Sequence, residues 1–338
     1  MILGIESTAH TFGIGIVDNG KILANVKDSY TTEKGGIIPS AAAAHHKQVA
    51  ESILYKALTE AGIEMKEIKA IAFSCGPGLS PCLLAGMHFA KKLAKENSLP
   101  IIPVNHCVAH LEIGKITGAE DPVLLYASGA NTQIIAYAGG KYRVFGETLD
   151  IGVGNFIDTF ARHAGLGFPG GPKIAKIVES AINSGEKLNY IELPYSIKGM
   201  DVSFSGMLTK LQQMFNSKKY KLEDLSFSLQ ETAFAMLVEA SERALAHTGK
   251  KELVIGGGVG CNKRLQEMCR IMCKERNARF FAPSNDLLTD NAAMIAYLGE
   301  IMFKSGIKER NIDKVDIMPR QRTDDVEVRW KVLNILIN

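Results

Sequence analysis

The sequence predicts an α/β protein of two lobes built by duplication, and two observations predict it. A plan of three strands, a helix, a strand, a helix and a last strand occurs once before residue 122 and once after it. Short turns then recur at matching places: Glu6-Ser7-Thr8-Ala9-His10-Thr11 falls against Ala127-Ser128-Gly129-Ala130-Asn131-Thr132, and Asn19-Gly20-Lys21 against Gly139-Gly140-Lys141. Repetition of a whole plan says more about topology than any single strand assignment. The size agrees, since 338 residues with 46% hydrophobic and 22% charged content suit two domains with a core each.

The elements follow in order. In the first lobe Ile2–Ser7, Phe12–Val17 and Ile22–Val26 alternate as strands, the last two joined by the tight Asn19-Gly20 turn. A helix is expected from about His45 to Ala61, with Val49, Ile53, Leu54 and Leu58 on one face. Ile68–Phe73 reads as a buried strand, Gly76-Pro77-Gly78 as a sharp turn, Leu83–Lys95 as a helix, and Ile101–Val104 as the strand that delivers Asn105-His106. In the second lobe the strands are Val123–Ala127, Thr132–Ala138, Tyr142–Phe145, Leu253–Ile255 and Phe280-Phe281, with Gly256-Gly257-Gly258 as the turn and Asn262–Arg276 as its helix. An insert of about 152–251 carries a glycine-rich turn and a long amphipathic helix from about Leu225 to His247. After Asp290 a helix to about Phe303 leads the tail back to the first lobe. The first lobe is therefore set at 1–121 plus about 304–338, and the second at 122–303. This twice-used plan resembles the ribonuclease H-like lobes of the actin-like ATPase (ASKHA) superfold, in which a ligand sits in the interlobe cleft.

Composition narrows the partners. The net charge of +3, with lysines and arginines in small groups, gives no basic stripe for holding nucleic acid unaided. Six cysteines without a CxxC pair fit a reducing, cytoplasmic setting, and Cys269 and Cys273 read as core thiols. Met1 runs straight into a strand, so neither a signal peptide nor a membrane span is expected.

Three loops face the expected cleft. The amides and hydroxyls of Ser128-Gly129-Ala130-Asn131-Thr132 suit phosphate oxygens. Gly256-Gly257-Gly258 lets a nucleotide approach the backbone near a helix start. There is no Walker A pattern and no fitting GxGxxG. His106 and His110, at i and i+4, share one helical face and can share a metal. A bare pair of this kind arises by chance about as often. Duplication sets Asn285–Asn291 opposite that pair, so Asp290 can meet both imidazoles across the cleft, and Tyr126 can add its phenolic oxygen. A His-His-Asp-Tyr set suits iron or zinc rather than magnesium. Asp158 is expected either to contact ligand or to cap the helix that follows.

These residues belong to longer motifs. Glu6-x-Thr8-Ala9-His10-Thr11, Gly76-Pro77-Gly78-Leu79, Asn105-His106-Cys107-x-Ala109-His110, Gly146-Glu147-Thr148-Leu149-Asp150-Ile151-Gly152, Phe168-Pro169-Gly170-Gly171-Pro172, Ser203-Phe204-Ser205-Gly206 and Thr289-Asp290-Asn291 together resemble one family. It is the tRNA N6-adenosine threonylcarbamoyltransferases, in the archaeal and eukaryotic branch that forms the catalytic subunit of the KEOPS complex. The resemblance runs nearly the whole length. It implies transfer of a threonylcarbamoyl group from threonylcarbamoyl-AMP to N6 of adenosine 37 in tRNAs reading ANN codons. It implies metal ligands at His106, His110, Tyr126 and Asp290, with iron favoured over zinc. Adenylate contacts are implied at Tyr126, Ala127, Ser128, Gly129, Ala130, Asp158, Gly171 and Asn262, in a site that also accepts ATP or AMP. Implied partners are tRNA, a small protein kinase subunit and a small dimerising subunit.

Some residues depart from the family pattern. Ser7, Leu84, Ala130 and Ala175 replace a usual Gly, Arg, Gly and acidic residue respectively. A turn needing positive φ would strain Ala130, and without an acidic side chain at 175 the ribose contact is expected to be absent. Rival readings are a metallopeptidase, disfavoured because no Glu follows His106, a small-molecule kinase of the same superfold, and a non-catalytic nucleotide-binding scaffold. No general base is identified; His10 is a candidate on the first-lobe turn.

Overall fold

The computed structural model describes residues 1–32 and 36–333. The first half contains β1 (Ile2–Glu6), β2 (Thr11–Asp18), β3 (Lys21–Ser29), α1 (Pro39–Ala61), β4 (Ala70–Gly76), α2 (Ser80–Asn97), β5 (Ile101–Asn105) and α3 (His106–Gly114). The second contains β6 (Val123–Ala127), β7 (Thr132–Ala138), β8 (Lys141–Glu147), α4 (Val153–His163), α5 (Gly170–Asn183), the two-residue strands β9 (Ile197–Lys198) and β10 (Asp201–Val202), and α6 (Ser205–Asn216). It continues with α7 (Leu222–Thr248), β11 (Glu252–Gly256), α8 (Lys263–Glu275), β12 (Arg279–Phe281), α9 (Asn285–Leu288), α10 (Ala292–Lys304) and α11 (Trp330–Leu333).

Two five-stranded sheets result, in the orders β3-β2-β1-β4-β5 and β8-β7-β6-β11-β12. In each, three strands form an antiparallel meander and two more lie parallel to its first strand. The central strands β1, β4, β6 and β11 are buried along their whole length, which requires helices on both faces of each sheet. The expected duplicated α/β architecture is what the chain adopts.

Helices α1 and α2 cover one face of the first sheet, and α7 and α8 pack on the second. In chain order α7 lies between β8 and β11 as α1 lies between β3 and β4. Helix α1 starts at Pro39, six residues before the expected start, because Pro39 suits the first turn and the run Ala41–Ala44 is helix-forming without periodicity.

The two remaining helices exchange sheets. Helix α3 leaves β5 of the first sheet and packs on β6 and β11, while α10 follows the second lobe and packs on β1, β2 and β4. A Cβ on Gly4 would stand 2.3 Å from the Ala296 amide nitrogen, and one on Gly15 2.4 Å from that of Ala293, so α10 lies directly on the strand backbones. By packing, α10 joins the first sheet. The helices begin alike. Asn105 Oδ1 accepts from the Val108 amide and Asn291 Oδ1 from the Met294 amide, each at 3.0 Å. These caps fix the register of the duplication as Asn105 against Asn291.

The tail contacts both lobes, Thr323 Oγ1 reaching Gln133 of β7 at 3.5 Å. Glu309 pairs with Ile101 at the edge of β5, and the Met318 amide donates to the Cys75 carbonyl at 2.7 Å. Further on, Trp330 is buried and its Nε1 points at Glu112 of α3 at 3.5 Å. Among the described residues no helix is long and apolar enough to cross a membrane. Cys269 and Cys273 are buried thiols of the second core.

Candidate metal centre and nucleotide cleft

The starts of α3 and α10 meet where the two sheets face each other. His106 and His110 project from the first two turns of α3, both buried, and Asp290 immediately precedes the cap of α10. Asp290 Oδ1 lies 3.4 Å from Nε2 of His106 and 3.4 Å from Nε2 of His110. The three potential ligand atoms all lie within 4.8 Å of one another. Tyr126, at the end of β6, places its hydroxyl 3.0 Å from His106 Nε2. Two atoms bound at about 2.1 Å to one cation stand roughly 3.4 Å apart in a tetrahedral shell and about 3.0 Å apart at a right angle. The spacing of Asp290 from each imidazole, and of Tyr126 from His106, is thus that of neighbouring ligands.

The charges agree with that fit. Burial disfavours the charged form of His106, but Tyr126, Glu6 and Asp290 outweigh it and hold the imidazole well above its ordinary pKa. Burial raises Asp290, and the two imidazoles more than reverse this, leaving it well below the usual carboxylate range. Burial pushes His110 down and Tyr126 up. The Nδ1 atom of His110 is buried without a hydrogen-bond partner. This pocket draws positive charge, and its nitrogen and oxygen donors suit iron or zinc.

Two groups absent from the sequence expectations complete the centre. Lys27 reaches from β3 to Thr289 Oγ1 at 2.6 Å and to the Asp290 carbonyl at 3.1 Å, tying the Asp290 loop to the first lobe. Nothing in the alternating edge strand marks it. Glu6 Oε2 accepts from His106 Nδ1 at 3.0 Å. Its signal is a carboxylate ending an otherwise apolar buried strand.

The second-lobe turn begins two residues after Tyr126. The Ser128 hydroxyl bonds within the turn to Asn131, while Gly129 and Ala130 are exposed at its tip. The carbonyls of Ser128 and Gly129 accept the first amides of α4, from Gly154 and Asn155. Ala130 is not among the positive-φ residues, so the strain expected there is absent. Gly257 does have φ +86°, and a Cβ there would meet the Ala127 carbonyl oxygen at 2.3 Å. Space is open beside Gly171 and Gly258.

Two predicted contacts also have structural work. Asp158 Oδ1 accepts from the amides of Gly170 at 2.7 Å and Gly171 at 3.3 Å, capping α5, and burial raises its pKa. Asn262 Oδ1 caps α8 through the amides of Arg264 and Leu265, and its Nδ2 donates to Gln230 at 2.7 Å. Asp150, the other acidic residue of this region, caps α6 through the amides of Phe204 and Ser205.

A fold in which the strand plan is doubled and two helices are exchanged between the sheets defines an actin-like ATPase-fold protein. Solved structures agree: HypF from T. kodakarensis aligns at TM-score 0.63 over 90% of this chain and 48% of its own, at 13% identity. The activator of 2-hydroxyisocaproyl-CoA dehydratase from Clostridium difficile, with bound ADPNP, aligns at TM-score 0.53 over 91% and 98%, also at 13% identity. At such identity the likeness concerns the fold alone. The sequence profile of tRNA N6-adenosine threonylcarbamoyltransferase (TsaD) matches residues 21–297. The protein of that name from Thermococcus sibiricus is 57% identical over 97% of this chain and 99% of its own. The chain belongs to the tRNA N6-adenosine threonylcarbamoyltransferase family and is a transferase enzyme.

Proposed function

We propose that this chain transfers the threonylcarbamoyl group of threonylcarbamoyl-AMP to N6 of adenosine 37 in tRNAs reading ANN codons. The observation that carries the reading is the placement of Asp290 Oδ1 at 3.4 Å from both His106 and His110, beside a turn with an exposed tip. The adenylate lies along Tyr126, Ala127, Ser128, Gly129 and Ala130, with Asp158, Gly171 and Asn262 around it. ATP or AMP fits the same site. Asp158 keeps Oδ2 for a ligand hydroxyl while Oδ1 caps α5.

His106, His110, Tyr126 and Asp290 would hold one metal ion, iron before zinc. When bound it withdraws electrons from the carbamoyl carbonyl. The residues of the chain orient the reaction. The Ser128–Asn131 turn holds the phosphate as the leaving group, and the buried walls of Tyr126 and His110 exclude water from the mixed anhydride. The N6 amine attacks the carbamoyl carbon, the bond from that carbon to the phosphate oxygen breaks, AMP departs, and N6 gives up one proton. His10, on the first-lobe turn, is a candidate to receive it.

The net charge of +3 supports weak tRNA binding by this chain alone. The remainder is supplied by a small protein kinase subunit and a small dimerising subunit of a KEOPS-type complex in the cytoplasm. Incubation with threonylcarbamoyl-AMP, unmodified tRNA and those partners, followed by nucleoside analysis, should give threonylcarbamoyladenosine. An ATP-dependent phosphorylated small molecule, or no product from a nucleotide-bound protein, would replace this reading with a kinase or a scaffold.

A further inference from the structure

Residues Glu6, Ser7 and Thr8 match Ala127, Ser128 and Gly129 of the second-lobe turn, yet their surroundings differ. Glu6, Ser7 and Thr8 are only 0%, 1% and 3% exposed, whereas Gly129 and Ala130 lie open. A fully buried carboxylate needs partners. Glu6 Oε1 accepts from the Thr8 amide at 2.7 Å and from the Thr8 hydroxyl at 2.5 Å, and Oε2 faces His106 Nδ1 at 3.0 Å.

An ionised carboxylate only accepts, so the proton of this contact sits on Nδ1. That leaves Nε2 of His106 directed at Asp290 and Tyr126. The turn is clamped from behind. The Leu79 amide donates to the Thr8 carbonyl at 2.8 Å, and the Ser7 amide donates to Ser74 Oγ at 3.0 Å. A Cβ on Gly78 would lie 2.6 Å from the Thr8 oxygen, so the Gly76-Pro77-Gly78 turn serves this packing.

We propose that Glu6, braced by Thr8, is a positioning residue that fixes the ring of His106 for metal binding, and that the first-lobe turn serves this purpose in place of ligand contact. The inference rests on the metal reading given above. It also predicts an asymmetry, because His110 Nδ1 has no such partner. Carboxylates that hold a ligating imidazole change metal affinity by about 10–100-fold when removed.

The test uses cobalt(II) as the probe on the full chain. Affinities are measured by chelator competition for the wild type, Glu6→Gln, Glu6→Ala, Thr8→Val and His106→Ala, alongside melting of the metal-free proteins. In the cobalt-loaded proteins, solvent exchange of the His106 Nδ1–H resonance is followed by NMR. Glu6→Gln and Glu6→Ala should bind cobalt about 10–100-fold more weakly. Thr8→Val should lose a few-fold, and exchange at His106 should accelerate while Glu6→Gln melts near the wild type. Should Glu6→Ala not fold, Glu6→Gln and Thr8→Val carry the comparison. Wild-type affinity and unchanged exchange in the Glu6 variants would overturn the positioning role alone. A wild type that binds no cobalt would remove the metal reading and this role with it.

Discussion

His46 shows how single side chains set the conditions under which the cleft keeps its shape. Its ring is buried on α1 beside Phe12, and its Nε2 donates to the Ala9 carbonyl at 3.0 Å, steadying the turn that carries His10. Burial lowers its pKa from 6.5 to about 4. The unfolded chain therefore takes up a proton that the folded chain refuses between those values. Stability from this group is complete above pH 6.5 and declines as pH falls toward 4, by roughly 3 kcal/mol at most. Urea titrations at pH 7.5 and pH 5 should show a loss that His46→Gln diminishes; parallel losses in both proteins would refute the assignment. Lys27 offers a second case. Replacing it with Met should cost only about 1 kcal/mol in folding but weaken metal binding, because the Asp290 loop loses its tether to β3. Unchanged metal affinity in that variant would show the tether to be idle. Residues of this kind differ in how far sequence reveals them. His106 and His110 announce themselves by helical spacing, and Asp290 emerges only through the repeat. Lys27 stays hidden because a lysine on an edge strand is ordinarily solvated.

At the scale of elements, the decisive feature is the exchange of α3 and α10 between sheets. It brings the start of each helix to the interface, so a histidine pair from one lobe and an aspartate from the other become neighbours. The exchange depends on glycine in β1 and β2, where any side chain would strike the α10 backbone. Gly15→Ala should destabilise the fold by about 1–3 kcal/mol, as overpacking does, and should also reduce metal affinity by shifting Asp290. The measurement is thermal melting paired with metal titration. A protein with native stability and affinity would contradict such close packing. Both sheets were legible in advance, since their apolar segments and turns repeat. The sheet that α10 covers was not, because a helix as apolar as Ala292–Lys304, with only Glu300 and Lys304 charged, does not say where it will pack. The start of α1 was obscured for a related reason: alanines favour a helix without marking a face.

At the scale of the molecule, two similar lobes have taken different tasks. The first-lobe turn is enclosed and its Glu6 meets His106, whereas the second-lobe turn keeps an exposed tip. The tail joins both, meeting β4 at Cys75, the cap of α3 through Gln321 and Asn105 at 3.0 Å, and β7 through Thr323 and Gln133 at 3.5 Å. Composition indicated two cores and no strong basic face, but it held no trace of this division. X-ray absorption at the metal edge of the iron- or zinc-loaded protein examines the central claim directly. One equivalent of metal should show two imidazole nitrogens at about 2.0–2.2 Å together with oxygen ligands, and one imidazole should vanish in His110→Ala. An oxygen-only shell, or a spectrum unchanged in that variant, would contradict the account.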